Sequence, residues 1–460
     1  MIVGVDLDNT IVRYDAVFRD VALAAGFISP ATGSSKHEVR ELLRSQPGGE
    51  ERWQWLQARV YGPHLGEAVP FEGFAAFAEL CARLGVPLYV ISHKTERAAA
   101  DPLGVDLRAA ARDWLRARFP SAPFAGIFFE DTRAGKLARI AELHCTHFVD
   151  DLAEVFLEPG FPEGVERWLF DPSRLQPPVP SAEHAASWAE LSGRLERAHR
   201  MWRVASALAS EPVDSIARVV GGGNNEIYRV RTPSGSFALK CYGVPDERAR
   251  LEREAASLRF LHAAGVEEVP RVVALDRKSG AALFEWIEGR RPERPGAGEV
   301  SQALALVQRL HDLRREPGAA GLSEAAEAGI HPASVFSRID ERLQRLRGAA
   351  PELGAFLDEF EGEYVRRRRA VQRHRDVEAA LAPQHRTLSP SDFGFHNALV
   401  REGRLIFLDF EYFGWDDPVK LVADFVLHPG MVLATADKKE WLAGAERVFV
   451  QDADFRARLA

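Results

Sequence analysis

Cysteine is scarce. The 460 residues contain three, Cys81, Cys145 and Cys241, odd in number and far apart. No disulfide framework can be read from them, and a reducing compartment fits the usage. A run of about 18 apolar residues is missing, so no membrane-crossing helix is expected. The most apolar late stretch, 419–434, is broken by Lys420, Asp424, His428 and Pro429. A basic excess is missing too: the formal net charge is −8, which argues against nucleic acid or an anionic membrane as partner. Met1 leads straight into Ile2-Val3-Gly4-Val5 without the basic start, apolar centre and cleavage site of a secretion signal, so a cytoplasmic location is expected. Internal repeats and low-complexity tracts are absent as well. What remains is an ordinary globular composition, 46% hydrophobic and 27% charged, over a length that exceeds one hydrophobic core.

The chain changes texture along its length. Short apolar runs, 2–5, 87–91, 126–129, 147–149 and 168–170, alternate with helix-like segments, the pattern of a parallel α/β sheet. The segment from about Tyr14 to Leu84 is too long for one crossover helix and reads as an inserted helical cap. Pro172 to Pro180 is proline-rich, and Ser181 to Ser210 has helical periodicity, so 173–212 reads as a linker. From about Val213, runs at 218–220, 227–231, 237–241 and 281–286 suggest antiparallel strands with glycine turns, followed by amphipathic helices such as 300–313 and 337–346. Two domains joined by a linker follow: 1–172 and 213–460, with 173–212 between them.

In Val5-Asp6-Leu7-Asp8-Asn9-Thr10 two aspartates close the first apolar run. Ligands of open parallel sheets bind at the carboxyl ends of strands. A carboxylate there can attack a phosphoryl group, and a second acid is needed to protonate the departing alkoxide. Asp6 is the candidate nucleophile and Asp8 the candidate acid, then base. The spacing alone also suits a surface or capping pair. Three further features sit at later strand ends. Ser92 follows Leu88–Ile91 and could bind a phosphate oxygen, Lys136 could neutralise phosphate and nucleophile, and Asp150-Asp151 follow His147–Val149 and suit Mg²⁺. The order Asp-x-Asp-x-Thr, Ser, Lys, Asp-Asp resembles the haloacid dehalogenase-like superfamily over about 1–171. The resemblance implies a Rossmann-like fold with a cap, a magnesium ion held by Asp6, the Asp8 carbonyl and Asp150 with Asp151 close by, and phosphatase rather than dehalogenase chemistry.

A second set of groups lies in the other half. Gly221, Gly222, Gly223, Asn224 and Asn225 form a glycine-rich turn of the kind that lets amides approach phosphates. No Gly-Lys-Ser/Thr follows, so it is not a Walker loop. Lys240 ends the next run, Glu254 could pair with it, and Glu285 in Leu283–Gly289 marks a strand running into a hinge whose main chain could bind adenine. Asp392 would orient or deprotonate an acceptor hydroxyl, while Asn397 and Asp409 would hold Mg²⁺ against nucleotide phosphates. In this order the parts resemble the aminoglycoside phosphotransferase and choline kinase-like family over about 213–460, with Asp409-Phe410-Glu411 in place of the Asp-Phe-Gly of protein kinases. The resemblance implies an α+β bilobal fold using ATP or GTP. One departure stands out: the histidine usually two residues before the catalytic aspartate is Pro390 here.

Other signals read as structural. His144, Cys145 and His147 fit a buried strand better than zinc, Arg366–Arg369 with Arg373 and Arg375 fit a solvated helix face, and His311 fits a core histidine. The expectation is a bifunctional phosphoryl-transfer enzyme, a Mg²⁺-dependent phosphatase fused to a nucleotide-dependent kinase of a small hydroxylated metabolite, with a sugar or polyol phosphate preferred. Two alternatives stand beside it: a phosphatase regulated by a degenerate nucleotide-binding half, and an aminoglycoside- or choline-type kinase carrying an accessory phosphatase.

Overall fold

The computed structural model describes residues 1–31, 35–98, 104–121, 124–179, 182–219, 225–242, 248–374 and 376–459. The chain divides into two compact units, 1–218 with 229–235, and 219–228 with 236–460.

The first unit contains strands β1 Val3–Val5, β2 Val12–Arg13, β3 Val69–Pro70, β4 Leu88–His93, β5 Phe124–Glu130, β6 His147–Asp150, β7 Glu166–Phe170, β8 Ala182–Ala185 and β9 Ser215–Arg218. Six of them form one sheet in the order β5-β4-β1-β6-β7-β8, and every pairing in it is parallel. The five apolar runs read from the sequence are β1, β4, β5, β6 and β7, with β1 and β6 at the centre of the sheet and β5 at its edge. The continuous burial of the two central strands (all three residues of β1, all four of β6) is what a sheet covered on both faces requires. Gly4 is needed for this closeness, because a Cβ there would sit 2.6 Å from the Phe148 ring on the neighbouring strand.

The insert after β1 holds α1 Asp15–Ala24, α2 Lys36–Arg44 and α3 Gly49–Tyr61. Helix α4, Phe74–Leu84, does not belong with them. It leads directly into β4, and its buried face of Phe74, Phe77, Ala78 and Cys81 is part of the main core. The expected cap over 14–84 therefore ends before α4. The crossover helices α5 Leu107–Arg118 and α6 Arg133–Glu142 follow, then the short α7 Ala153–Leu157.

The expected linker is also corrected. Residues 182–185 are the sixth strand of the sheet, and α8, Trp188–Leu208, buries Trp188, Leu191 and Leu195 in the same core. Trp188 lies 4.8 Å, centroid to centroid, from both Phe74 and Phe77, and its indole donates to the Thr10 carbonyl. Prolines 172, 177 and 178 shape a connection that folds back onto the sheet instead of spacing two domains.

Strands β10 Glu226–Thr232 and β11 Gly235–Cys241, whose residues are divided between the two units, and β12 Val272–Asp276 and β13 Ala281–Glu285 of the second unit follow the order β12-β13-β11-β10. β11 and β12 both run antiparallel to β13. Helix α9, Arg248–Ala263, separates β11 from β12, and α10 Ala297–Leu313, α11 Pro332–Ala349 and α12 Gly354–His374 come next. The antiparallel pair β14 Thr387–Ser389 with β17 Gly414–Asp416 and the hairpin β15 Ala398–Arg401 with β16 Arg404–Phe407 frame the Asp392, Asn397 and Asp409 part of the second site. The β15–β16 turn has positive φ at Glu402 and Gly403, the turn whose twist matches a two-residue hairpin. Helices α13 Pro418–Leu427, α14 Thr435–Val448 and α15 Phe455–Leu459 finish the unit. Phe393, Phe407, Phe425 and Trp441 are buried together in its core. Among the described residues no helix is long and apolar enough to cross a membrane.

Candidate active sites

The parallel register sets the first site. Val5 lies beside Val90 on one flank and Val149 on the other, so Asp6, Ser92 and Asp150 emerge at the carboxyl ends of three adjacent strands. The Asp6 amide donates to the Val149 carbonyl at 2.9 Å. Lys136 arrives from the first turn of α6, whose start is fixed by the Thr132 hydroxyl accepting from the Gly135 amide. Its ammonium lies 2.6 Å from Asp6 Oδ1 and 2.6 Å from Asp150 Oδ2. Ser92 is buried at the end of β4. Oxygens of Asp6, Asp150 and Asp151 all lie within 4.8 Å of one another. That all-carboxylate donor set fits magnesium, which prefers hard oxygen ligands and few of them.

Burial pushes the Asp6 carboxyl up to about 6, with Asp150 and Asp8 adding to it and Lys136 opposing. Burial and the neighbouring Asp150 likewise raise Asp151 well above the carboxylate range. Burial would lower Lys136, but Asp150 and Asp6 outweigh it and raise its pKa. The site as it stands has surplus negative charge, the condition a divalent cation relieves.

Asp8 has a different environment. Lys94 reaches both of its oxygens, at 3.0 and 2.8 Å, and Tyr14 donates to Oδ1 at 2.5 Å. Burial alone would raise Asp8; Lys94 and Tyr14 bring it below its usual value. Lys36, from α2 of the cap, donates to Asn9 Oδ1 at 3.2 Å and lies over the rings of Tyr14, Phe18 and Tyr61. Asn9 sits at φ 57, a left-handed conformation that non-glycine residues seldom adopt away from functional turns. Lys94, Tyr14 and Lys36 were missed in the sequence. Lys94 had a signal, since it follows Ser92 by two residues just past the end of β4, the spacing at which an extended chain returns to one face; Lys36, from a separate helix, had none.

The second site is built around Lys240 on β11. Its ammonium is 2.8 Å from Glu254 Oε2, 2.7 Å from Asp409 Oδ1 and 3.1 Å from Glu411 Oε2. Glu254 also accepts from the Tyr242 hydroxyl and, at 3.0 Å, from the Phe410 amide. Burial would lower Lys240, but Glu254, Asp409 and Glu411 outweigh it and raise its pKa. Glu254 is raised, burial outweighing Lys240. Asp409 is held at φ 65, a strained backbone that points its carboxylate at the lysine.

Asp392 and Asn397 come together on the loop between β14 and β15. Asn397 Nδ2 donates to Asp392 Oδ2 and to the Asp392 carbonyl, each at 3.1 Å. The Leu408 amide donates to the Asn397 carbonyl at 2.7 Å, which ties this loop to the Asp409 segment. Phe393 and Phe395 are buried and anchor the loop.

Not every expected residue has the expected place. Gly221, Gly222, Gly223 and Asn224 lie outside the described residues. Asn225 donates to Glu411 Oε2 at 2.6 Å. Glu285 ends β13; its amide donates to the Arg271 carbonyl and its carboxylate is 3.0 Å from Arg401. Glu411, the last residue of the Asp409-Phe410-Glu411 triplet, is a further member of the site, accepting from Lys240 and Asn225. Arg366, Arg367 and Arg368 pair with Glu363 and Asp340 on an exposed helix face. His311 is buried against Thr387 Oγ1.

A buried lysine–glutamate pair beside a strand-end aspartate, with an Asp–Asn pair on an adjoining loop, defines a phosphoryl-transfer protein of kinase type. Residues 215–455 match the phosphotransferase enzyme family, and with more than half of its length matched the chain belongs to that family. Solved structures similar to this chain include the macrolide 2'-phosphotransferase MphH from Brachybacterium faecium, at 18% identity and TM-score 0.37, covering 55% of this chain and 83% of that one. They include choline kinase LicA from Streptococcus pneumoniae, at 18% identity and TM-score 0.36, covering 55% and 80%. A choline kinase from Cryptosporidium parvum is similar at 11% identity and TM-score 0.36, covering 55% and 80%. No curated protein matches the chain.

Proposed function

We propose that this phosphotransferase is bifunctional, with a magnesium-dependent phosphatase in the first unit and an ATP-dependent small-molecule kinase in the second. The observation that carries the reading is the meeting of Asp6, Lys136, Asp150 and Asp151 at the carboxyl ends of parallel strands, separate from the Lys240, Glu254 and Asp409 group. Bound magnesium would supply charge neutralisation at the phosphoryl oxygens, held by Asp6, Asp150 and Asp151 in one site and by Asn397 and Asp409 in the other. In the first unit an Asp6 oxygen bonds to phosphorus as the ester P–O bond breaks and, with Asp8 ionised, the departing oxygen takes its proton from solvent; water then attacks the aspartyl phosphate, gives a proton to Asp8 and releases inorganic phosphate. Asp8, kept ionised between Lys94 and Tyr14, suits the proton transfer from that water. In the second unit Lys240 binds donor phosphates and Asp392 receives the acceptor hydroxyl. A sugar or polyol, or its phosphate, is the proposed metabolite class.

Phosphorus NMR of the chain with MgATP and a panel of sugar phosphates, polyols, choline and aminoglycosides tests this. Phosphate release lost only in Asp6→Asn, and transfer lost only in Asp392→Asn, is the expected pattern. A wild type that releases no phosphate from any ester removes the phosphatase half. Lys94→Met is expected to lower kcat for para-nitrophenyl phosphate about 10- to 100-fold, and Tyr14→Phe by less than about tenfold, since each removes a donor that sets Asp8. Unchanged kcat in both would exclude Asp8 as the proton carrier.

A further inference from the structure

Pro390 has no N–H and no polar side chain, so the loop ahead of Asp392 brings no donor from that position. The Ser391 hydroxyl is turned away and donates to the Ala326 carbonyl. The carboxylate is nonetheless held from the other side. His396 Nε2 lies 2.9 Å from Asp392 Oδ1, and His428 Nε2 lies 3.6 Å from the same oxygen. The two rings stack with centroids 3.8 Å apart and planes within 6°.

Local sequence explains why His396 reaches there. Phe393 and Phe395 are buried in the core, anchoring the loop on both sides of Gly394. Gly394 leaves the room: a Cβ there would lie 2.8 Å from both His396 Nδ1 and Met431 Sδ. His428 comes from the end of α13, and its Nδ1 accepts from the Gly430 amide at 3.1 Å. That bond puts the ring proton on Nε2, facing Asp392. His396 Nδ1 is buried without a hydrogen-bond partner, so Nε2 is again the donor. His396 gives Oδ1 one N–H donor, and His428, 3.6 Å from that oxygen and beyond hydrogen-bond reach, braces the His396 ring by stacking, a clamp of donor and brace rather than a set of metal ligands, although the three side chains lie close enough to meet one ion.

We infer that His396, backed by His428, is a positioning residue that fixes Asp392 Oδ1 and leaves Oδ2 to receive the acceptor hydroxyl. The clamp takes the place of the support that Pro390 cannot give. It rests on the reading of Asp392 as the group facing the acceptor. Oδ2 has one side-chain contact, Asn397 Nδ2, and a carboxylate oxygen can accept two hydrogen bonds.

The test uses the full chain and MgATP itself, with water as acceptor. His396→Ala is expected to slow ATP turnover about 30- to 100-fold, and His428→Ala about fivefold. Binding of a fluorescent ATP analogue is expected to change by less than about twofold in either variant. His396→Gln, which keeps an N–H donor, is expected to recover most of the loss. In an Asp392→Ala background, His396→Ala is expected to cost nothing further, because the two act as one unit. Wild-type turnover in His396→Ala beside an inactive Asp392→Ala would overturn the clamp alone. Turnover retained in Asp392→Ala would overturn the kinase reading beneath it. Nitrogen-15 spectra of the histidines give a second reading that needs no turnover: Nε2–H tautomers for both rings, with both signals shifted in Asp392→Ala, are expected. An Nδ1–H tautomer at either ring, or signals unmoved by the substitution, would overturn the proposal.

Discussion

Asp6→Asn is expected to abolish phosphate-ester hydrolysis, by about 10⁴-fold or more, while making the metal-free chain harder to unfold at neutral pH. The first effect follows from chemistry, because a carboxamide cannot form the aspartyl phosphate. The second follows from burial. Burial and the nearby Asp150 and Asp8 raise the Asp6 carboxyl to about 6 from its ordinary 3.8, against the pull of Lys136. An acid raised in the folded state holds its proton more tightly folded than unfolded, so stability falls as pH climbs from about 4 to about 6. The loss amounts to about 3 kcal/mol once pH is above both values. Asparagine has no such proton to lose, and Lys136 keeps Asp150 as a partner at 2.6 Å. The stability gap between variant and wild type is therefore expected to be near zero at pH 4 and to widen through pH 6. Calorimetry of both proteins in chelator across that range measures it. Added Mg²⁺ is expected to narrow the gap at pH 7, because it binds the ionised aspartates that wild type alone supplies in full. Parallel pH profiles for the two proteins would show that Asp6 does not carry the surplus charge of this site.

Why some parts were readable and others were not is clear from particular residues. Strands β1, β4 and β6 are continuous apolar runs that end on polar groups, and parallel pairing then aligns those ends, so Asp6, Ser92 and Asp150 could be placed together from spacing. Lys240, Glu254 and Asp409 were found because each sits at a recognisable strand or helix position in a fixed order. Lys36 and His428 were not, because each reaches its site from a separate helical segment and nothing local marks that approach. The misplaced linker has a simple cause. Prolines suggest a spacer when read locally, whereas Trp188 and Leu191 on α8 bury a face that only the tertiary core reveals. Helix α4 was absorbed into the cap because composition does not change across Phe71-Glu72-Gly73, although the left-handed φ of 88° at Gly73 marks the break.

Lys240→Met is expected to be the most damaging single change in the second unit, for activity and stability together. Glu254 and Glu411 are almost wholly buried, at 3% and 1% exposure, and Asp409 faces the same ammonium. Removing the cation leaves three carboxylates without it, and breaking one partner of a buried ion pair costs about 3–5 kcal/mol. Phosphoryl transfer is expected to fall about 10³-fold, since the developing phosphate charge loses its fixed counter-charge. The two effects can be separated. Burial already raises Glu254, so a neutral side chain suits its site once the lysine is gone. The double variant Lys240→Met, Glu254→Gln is expected to regain about 1–3 kcal/mol over Lys240→Met alone, because the stranded charge is removed. Its amide can still accept from the Phe410 N–H, as Glu254 does at 3.0 Å. Transfer is expected to stay lost. Melting curves and ATP turnover of the two variants measure this directly. A double variant no more stable than the single one would mean that Glu254 is held by Tyr242 and Phe410 rather than balanced by Lys240. Recovery of turnover would remove Lys240 from the donor site.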